Sequence, residues 1–178
     1  HRRFKKRHFG ENQLKLIYEK LNKYIELGYI EKLQPDEIQH LNFVNHPLLV
    51  PKQHNDCRLV IDLKNLNKNL KKSFEVTTST DHTWRNISLN NNLVTTIDLS
   101  KSYWQVKLKS TDDMNDCGIV IGNEYYRSKR LLHGLSNGVS FFNAMMTDML
   151  SVVTVDGVKV IDKSVFIYID DVLILEKD

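Results

Sequence analysis

The chain has 178 residues, 41% of them hydrophobic, and a formal net charge of +3. That length supports one domain or two small lobes sharing a core, and the even spread of aliphatic and aromatic residues excludes a disordered protein. With Cys57 and Cys117 as its only cysteines, the chain has no disulfide framework and fits a reducing compartment; it also shows no signal peptide and no long apolar span. The charge is uneven. Arg2, Arg3, Lys5, Lys6 and Arg7 crowd the start, and Lys64, Lys68, Lys71 and Lys72 form a second set. Such clusters neutralise nucleic-acid phosphates, or they are simply solvated faces. The sequence begins without Met and stops three residues after Leu175, which suggests a piece of a longer protein.

Leu14, Ile17, Leu21, Tyr24 and Ile25 recur at helical spacing, and Gly28 predicts the helix stop. Residues 31–46 read as irregular. His46–Pro51 and Arg58–Leu63 read as the arms of a hairpin with a polar, basic tip between them. Thr77 to Asp81 predicts a cap leading into a short helix around Trp84 and Ile87, followed by a loop at Asn90–Asn92. Leu93–Ile97 is strand-like and runs into Asp98, after which Ser100–Gln105 reads as a tight helical turn. Gly118–Ile121 and Glu124–Arg127 flank a two-residue turn and predict another hairpin. Phe141, Phe142, Met145, Met146, Met149 and Leu150 mark the apolar side of a helix capped by Asn137 or Ser140. Asp156-Gly157 is a turn. Hairpins and helices without regular alternation predict an α+β fold with an antiparallel sheet.

Val165–Leu175 is an apolar run broken only by Asp170 and Asp171. It reads as two short buried strands with the acids at the turn. Adjacent carboxylates against an apolar wall repel each other and are poorly solvated, a cost that a divalent cation removes. Hard cations on carboxylates also hold phosphate oxygens, so the pattern points to phosphate chemistry. Asp98, at the end of its own strand, is the natural third carboxylate. The bland alternatives stay open at this level: an exposed hairpin turn for Asp170 and Asp171, and a cap or turn acid for Asp98. His54 and Cys57 form one H-x-x-C pair with no second pair to complete a zinc site.

Five stretches in order resemble the reverse transcriptase domain of long-terminal-repeat retroelements, most of all the gypsy type, with retroviral enzymes as cousins. They are the N-terminal helix with Gly28-Tyr29-Ile30, the segment Arg58–Lys68, the first acidic stretch Val94–Val106, Gly134-Leu135-Ser136-Asn137 followed by Phe142, and Tyr168-Ile169-Asp170-Asp171. The resemblance implies a right-hand polymerase with fingers at 1–71 and 107–131, palm at 72–106 and 132–178, an antiparallel palm sheet with helices on one face, and no thumb. It assigns catalysis to Asp98, Asp170 and Asp171. Two Mg²⁺ ions, with Mn²⁺ as the alternative, would be held by these three and by Leu99. It places Lys52, Arg58, Leu99, Ser100, Tyr103 and His133 around the incoming nucleotide. Leu99 and Ser100 would act through backbone N–H groups and Tyr103 as a steric gate against a 2′-hydroxyl. Lys64, Asn67 and Tyr168 would face primer and template. His133, Gly138-Val139, Asn143, Ser102 and Pro51 depart from the family pattern.

The implied activity is RNA-directed DNA synthesis from a primer 3′-hydroxyl. Its partners are an RNA or DNA template with primer, deoxynucleoside triphosphates, and the other parts of a Pol polyprotein: thumb, ribonuclease H, integrase and protease. No membrane partner is implied. The expected location is intracellular: cytoplasmic, including a virus-like particle, or nuclear. Two rivals remain: an inactive nucleic-acid-binding relic of such an enzyme, and another palm polymerase such as an RNA-dependent RNA polymerase.

Overall fold

A computed structural model describes residues 7–53, 56–71, 93–155, 157–159 and 165–176. The expected basic residues Arg2, Arg3, Lys5, Lys6 and Lys72, the hairpin-tip residue His54, the cap, helix and loop within 77–92, and the turn residue Asp156 lie outside them. The chain divides into two compact units, His1–Lys71 with Tyr103–Ser136, and Lys72–Ser102 with Asn137–Asp178.

The first unit opens with α1 (Glu11–Glu26), whose Ile17 and Leu21 are fully buried. The helix ends as the sequence predicts. Gly28 takes φ +67, its N–H donates to the Ile25 carbonyl (2.8 Å), and the Tyr29 N–H donates to the Tyr24 carbonyl (2.9 Å). This is the paired bond of a glycine-terminated helix, in which the left-handed residue carries no Cβ penalty. The elements that follow are β1 (Ile30–Lys32), a 3₁₀ turn (Ile38–His40), β2 (Val44–Pro51), β3 (Cys57–Asp62) and α2 (Lys64–Asn69). Past residue 102 the unit resumes with most of α3 (Ser102–Gln105), then α4 (Thr111–Asp116), β5 (Gly118–Ile121) and β6 (Glu124–Ser128).

Its five strands lie in the order β1-β6-β5-β2-β3. β5 is central and buried on both faces, because successive strand side chains point to opposite sides. Ile119 and Ile121 join the larger core with Ile17, Leu21, Leu59, Ile61 and Trp104. Val120 joins a smaller cluster with Leu33, Leu41 and Val44. Four of the sheet's pairings give three antiparallel contacts and one parallel one, the short β2–β5 contact (Val44↔Gly118, Asn45↔Ile119). Gly118 is needed at this junction, since a Cβ there would sit 2.5 Å from the Phe43 carbonyl oxygen. Buried Asn45 supports the same junction by donating to the Gly118 carbonyl at 2.9 Å.

The second unit holds β4 (Leu93–Asp98), α5 (Gly138–Ser151), the small hairpin of β7 (Thr154–Val155) and β8 (Val158–Lys159), β9 (Val165–Tyr168) and β10 (Asp171–Glu176). β4, β10 and β9 form a fully antiparallel sheet with β10 in the middle. Val165, Phe166, Ile167, Val172 and Leu175 are buried, as are Phe142 and Met146 on α5. Asn137 is the N-cap residue of α5.

Residues 31–46, expected to be irregular, contain β1, the 3₁₀ turn and the start of β2. The acidic pair also divides differently from expectation. Asp170 sits in the turn, whereas Asp171 is the first residue of β10. Among the described residues no helix is long and apolar enough to cross a membrane.

Candidate functional site

In the second unit the β4–β10 register sets Asp98 directly opposite Asp171. In an antiparallel pair opposed side chains share a face and their Cβ atoms lie about 4.5–5.5 Å apart. Both residues are exposed. The cost at this site is therefore repulsion between like charges rather than the burial expected from the apolar run. Asp170 stands in the two-residue turn, and its carbonyl accepts the Leu99 N–H at 3.0 Å. That bond carries the β4–β10 ladder one step past Asp98. The Leu99 N–H is thereby engaged by the turn. The Leu99 carbonyl accepts the Ser102 N–H at 3.3 Å, closing a tight turn in which Lys101 takes φ +52. Ser100 is exposed within that turn.

Tyr168 pairs with Asp171 across the hairpin and is 54% exposed. Ile169, between Tyr168 and Asp170, takes φ +57, and its N–H donates to Asn143 Oδ1 at 3.1 Å. Asn143 is thus part of the site, although the sequence marks it only as a departure from a family pattern.

Asp98, Leu99, Asp170 and Asp171 are brought together in this way. Among the described residues no group of three or more His, Cys, Asp or Glu side chains is closed around a single point. The donors are nonetheless hard oxygens, two of them opposed across strands and a third in the adjoining turn. This set suits a hard divalent cation entering from solvent and not a soft metal.

In the first unit, Tyr103 is 5% exposed, with its ring against His133 at 4.4 Å between centroids. Beside it Trp104 stacks on Tyr24 (4.4 Å) and Tyr29 (5.8 Å), and the Arg130 guanidinium lies 5.1 Å over the Tyr29 ring. Burial pushes the Tyr24 hydroxyl pKa up, while the positive charges of Arg58 and Lys20 pull against it. Arg58 stands on β3, where it pairs with Val50. The Lys52 N–H donates to the Asp56 carbonyl at 2.8 Å, and Lys20 bonds the Asp56 carboxylate at 2.6 Å, anchoring the hairpin tip to α1. Both Lys52 and Arg58 are exposed.

Asn67 donates from Nδ2 to the Gly134 carbonyl at 2.8 Å and accepts the Ser136 N–H on Oδ1 at 2.8 Å. Both ends of its amide thus hold the loop that follows His133. Lys64 on the same helix is exposed.

Comparison with known proteins gives the following. No curated protein sequence matches the chain. The native protease–reverse transcriptase of prototype foamy virus superposes with a TM-score of 0.77 at 17% identity, covering 98% of this chain and 21% of that one. A foamy viral protease–reverse transcriptase in complex with double-stranded DNA superposes with a TM-score of 0.72 at 19% identity, covering 99% of this chain and 34% of that one. The chain therefore spans between about a fifth and a third of the structures it matches. The family described as reverse transcriptase (RNA-dependent DNA polymerase) matches residues 50–178. On that match the chain belongs to the reverse transcriptase family, and its two units carry the family's fingers-and-palm fold.

Proposed function

We propose that this chain is the fingers and palm of an RNA-directed DNA polymerase from a long-terminal-repeat retroelement, with fingers at 1–71 and 107–131 and palm at 72–106 and 132–178. The observation that carries the proposal is the opposition of Asp98 and Asp171 across β4 and β10, with Asp170 in the adjoining turn. Asp98, Asp170 and Asp171 supply the carboxylate oxygens for two divalent cations, Mg²⁺ with Mn²⁺ as the alternative. Bound there, such cations activate a primer 3′-hydroxyl and neutralise charge on the departing pyrophosphate.

The chain's own residues do the rest. Arg58 and Lys52, exposed on the β2–β3 hairpin, meet triphosphate oxygens, and the planar guanidinium suits bidentate contact. Tyr103, fixed against His133, gives the sugar a rigid wall that a 2′-hydroxyl would strike. Asn67 fixes the loop after His133, so its part is positioning rather than touching primer or template. Lys64 and Tyr168 are free to contact nucleic acid. Partners follow from these roles: a primed RNA or DNA template, deoxynucleoside triphosphates, and the remaining segments of a Pol polyprotein.

A second reading, an inactive nucleic-acid-binding relic, is favoured by the departures from the family pattern at Ser102, His133 and Asn143. The deciding test is Mg²⁺-dependent incorporation of deoxynucleotides on a primed RNA template, with the chain joined to its downstream polymerase segments and Asp170→Asn as control. Incorporation that the control loses supports the polymerase. A folded protein that binds primer and template yet incorporates nothing supports the relic. Ready use of ribonucleotides would remove the gate role of Tyr103.

A further inference from the structure

We propose that Arg130 is a positioning residue: its guanidinium caps α3 and roofs the Tyr29 ring, and the two contacts together fix the turn that carries Tyr103. The proposal deepens the polymerase reading and rests on it for the gate role of Tyr103, though not for its geometry.

α3 is a single turn of four residues. So short a helix does not stand on its own hydrogen bonds, and tertiary contacts set its orientation. Its Tyr103 carbonyl accepts the Val106 N–H at 3.1 Å. The Gln105 carbonyl, at the C-terminal end, accepts Arg130 Nη1 at 3.1 Å. Carbonyls at that end of a helix lack donors from the helix itself, and a cation there also meets the negative end of the peptide dipoles. The same guanidinium lies over the Tyr29 ring, 5.1 Å from its centroid. Tyr29 is within 11° of parallel to Trp104, the residue between Tyr103 and Gln105. One side chain thus touches the end of the turn directly and its middle through Tyr29. A planar guanidinium does both at once, donating in its plane and stacking by its face, whereas an ammonium is a point charge.

Arg130 is itself firmly mounted. Its N–H donates to Ser128 Oγ at 3.2 Å, and that hydroxyl donates to the Arg130 carbonyl at 2.8 Å. Ser128 is fully buried. The adjoining Leu131 N–H donates to the Val106 carbonyl at 3.0 Å, tying the same segment to the residue after α3. Without the guanidinium, the Gln105 carbonyl turns to water and Tyr29 loses its cover. Trp104 then gains play against its stacking partners, and Tyr103, its immediate neighbour, moves with it. A wall that excludes a 2′-hydroxyl works only while it is rigid, so discrimination falls before affinity for the correct nucleotide does. Arg130 thus acts on the gate through α3 without touching substrate.

The test uses Arg130→Ala, Arg130→Lys and Tyr29→Leu in the chain joined to its downstream polymerase segments. Loss of a charge-assisted bond and a cation–π contact predicts that the Val106 amide exchanges its hydrogen about tenfold faster in Arg130→Ala. The same variant should lose about five- to tenfold in preference for deoxynucleotide over ribonucleotide, read as the ratio of kcat/KM values, with the KM for deoxynucleotide nearly unchanged. Arg130→Lys can hold the carbonyl or the ring but not both, and should recover only part of each effect. Should Arg130→Ala fail to fold, the partial loss in Arg130→Lys carries the same test. Tyr29→Leu removes the ring, so adding Arg130→Ala to it should cost less than in the parent. Unchanged Val106 exchange in Arg130→Ala overturns the proposal. A rise in KM for both nucleotide types at an unchanged ratio also overturns it, since Arg130 would then meet the triphosphate itself. If the parent protein incorporates nothing, the polymerase reading fails, and the exchange measurements alone still decide whether Arg130 holds α3.

Discussion

Replacing Asp98 with asparagine should make the metal-free protein more stable while destroying its chemistry. Asp98 and Asp171 are exposed and directly opposed. Taking about 5 Å between the charges and the dielectric constant of water, their repulsion is about 0.8 kcal/mol. Screening leaves about 0.7 kcal/mol at 0.01 M salt and about 0.2 kcal/mol at 1 M. In a chain of 178 residues each kcal/mol moves the melting temperature by about 2–4 °C. Asp98→Asn should therefore melt about 2 °C higher than the parent at low salt with chelator, and less than about 1 °C higher at 1 M salt. Adding Mg²⁺ should stabilise the parent, since a cation that binds the native state removes the same repulsion. It should do little for the variant. Calorimetry across salt and Mg²⁺ concentrations measures all of this without turnover. A variant that melts at or below the parent at low salt, or that gains as much from Mg²⁺, would refute the reasoning from opposed carboxylates.

Three further outcomes follow from the first unit. Gly118→Ala should destabilise by about 1–3 kcal/mol, because its methyl group meets the Phe43 carbonyl at 2.5 Å and Leu41 at 3.0 Å; denaturant titration would show the shift in midpoint. Cys57 is half-exposed, whereas burial pushes the thiol pKa of Cys117 up to about 12; a thiol reagent on native protein should therefore modify Cys57 quickly and Cys117 only on unfolding. Burial works to raise the Glu31 pKa, but hydrogen bonds from Lys129 and Arg127 outweigh it and hold the carboxyl below its ordinary 4.5. A lowered folded pKa gives stability that is present above the ordinary value and lost as pH falls through the folded one. Glu31→Gln should accordingly flatten the acid limb of the stability curve below about pH 4.5, as read by circular dichroism.

The parts of this fold legible in sequence are those whose signal is local. α1 announces itself by apolar spacing and Gly28, and the β2–β3, β5–β6 and β9–β10 hairpins by apolar arms about short polar turns. β1 carries no such signal, because Ile30-Glu31-Lys32 becomes a strand only by pairing with β6. α2 buries Leu66 alone and has no side-chain cap, so nothing in its own residues marks it. α4 is different, since Ser110 and Asp113 form a reciprocal cap, a readable signal that composition-based reading passes over. The acids were visible as charges in an apolar run, but their register was not. That Asp171 rather than Asp170 faces Asp98 depends on a strained turn. The two asparagines at 67 and 143 were invisible as working parts, because each bonds backbone many residues away and polar side chains carry no periodicity.

The interleaving of the two units has a consequence for synthesis on the ribosome. Among the described residues β1 has β6 as its only strand partner, pairing Ile30 with Ser128, and β2 meets β5 only at Val44–Asn45. The first unit's sheet therefore stays open until residue 128 has emerged, by which time the first strand of the second unit is already outside. Through that interval the edge of β2 lacks its partner β5. Such long-separation pairing slows folding and leaves sheet edges open to other chains. A nascent chain stalled between residues 71 and 118 would carry an incomplete sheet, a natural target for chaperones. Cutting this protein at residue 71 would yield that same unfinished sheet rather than a smaller domain.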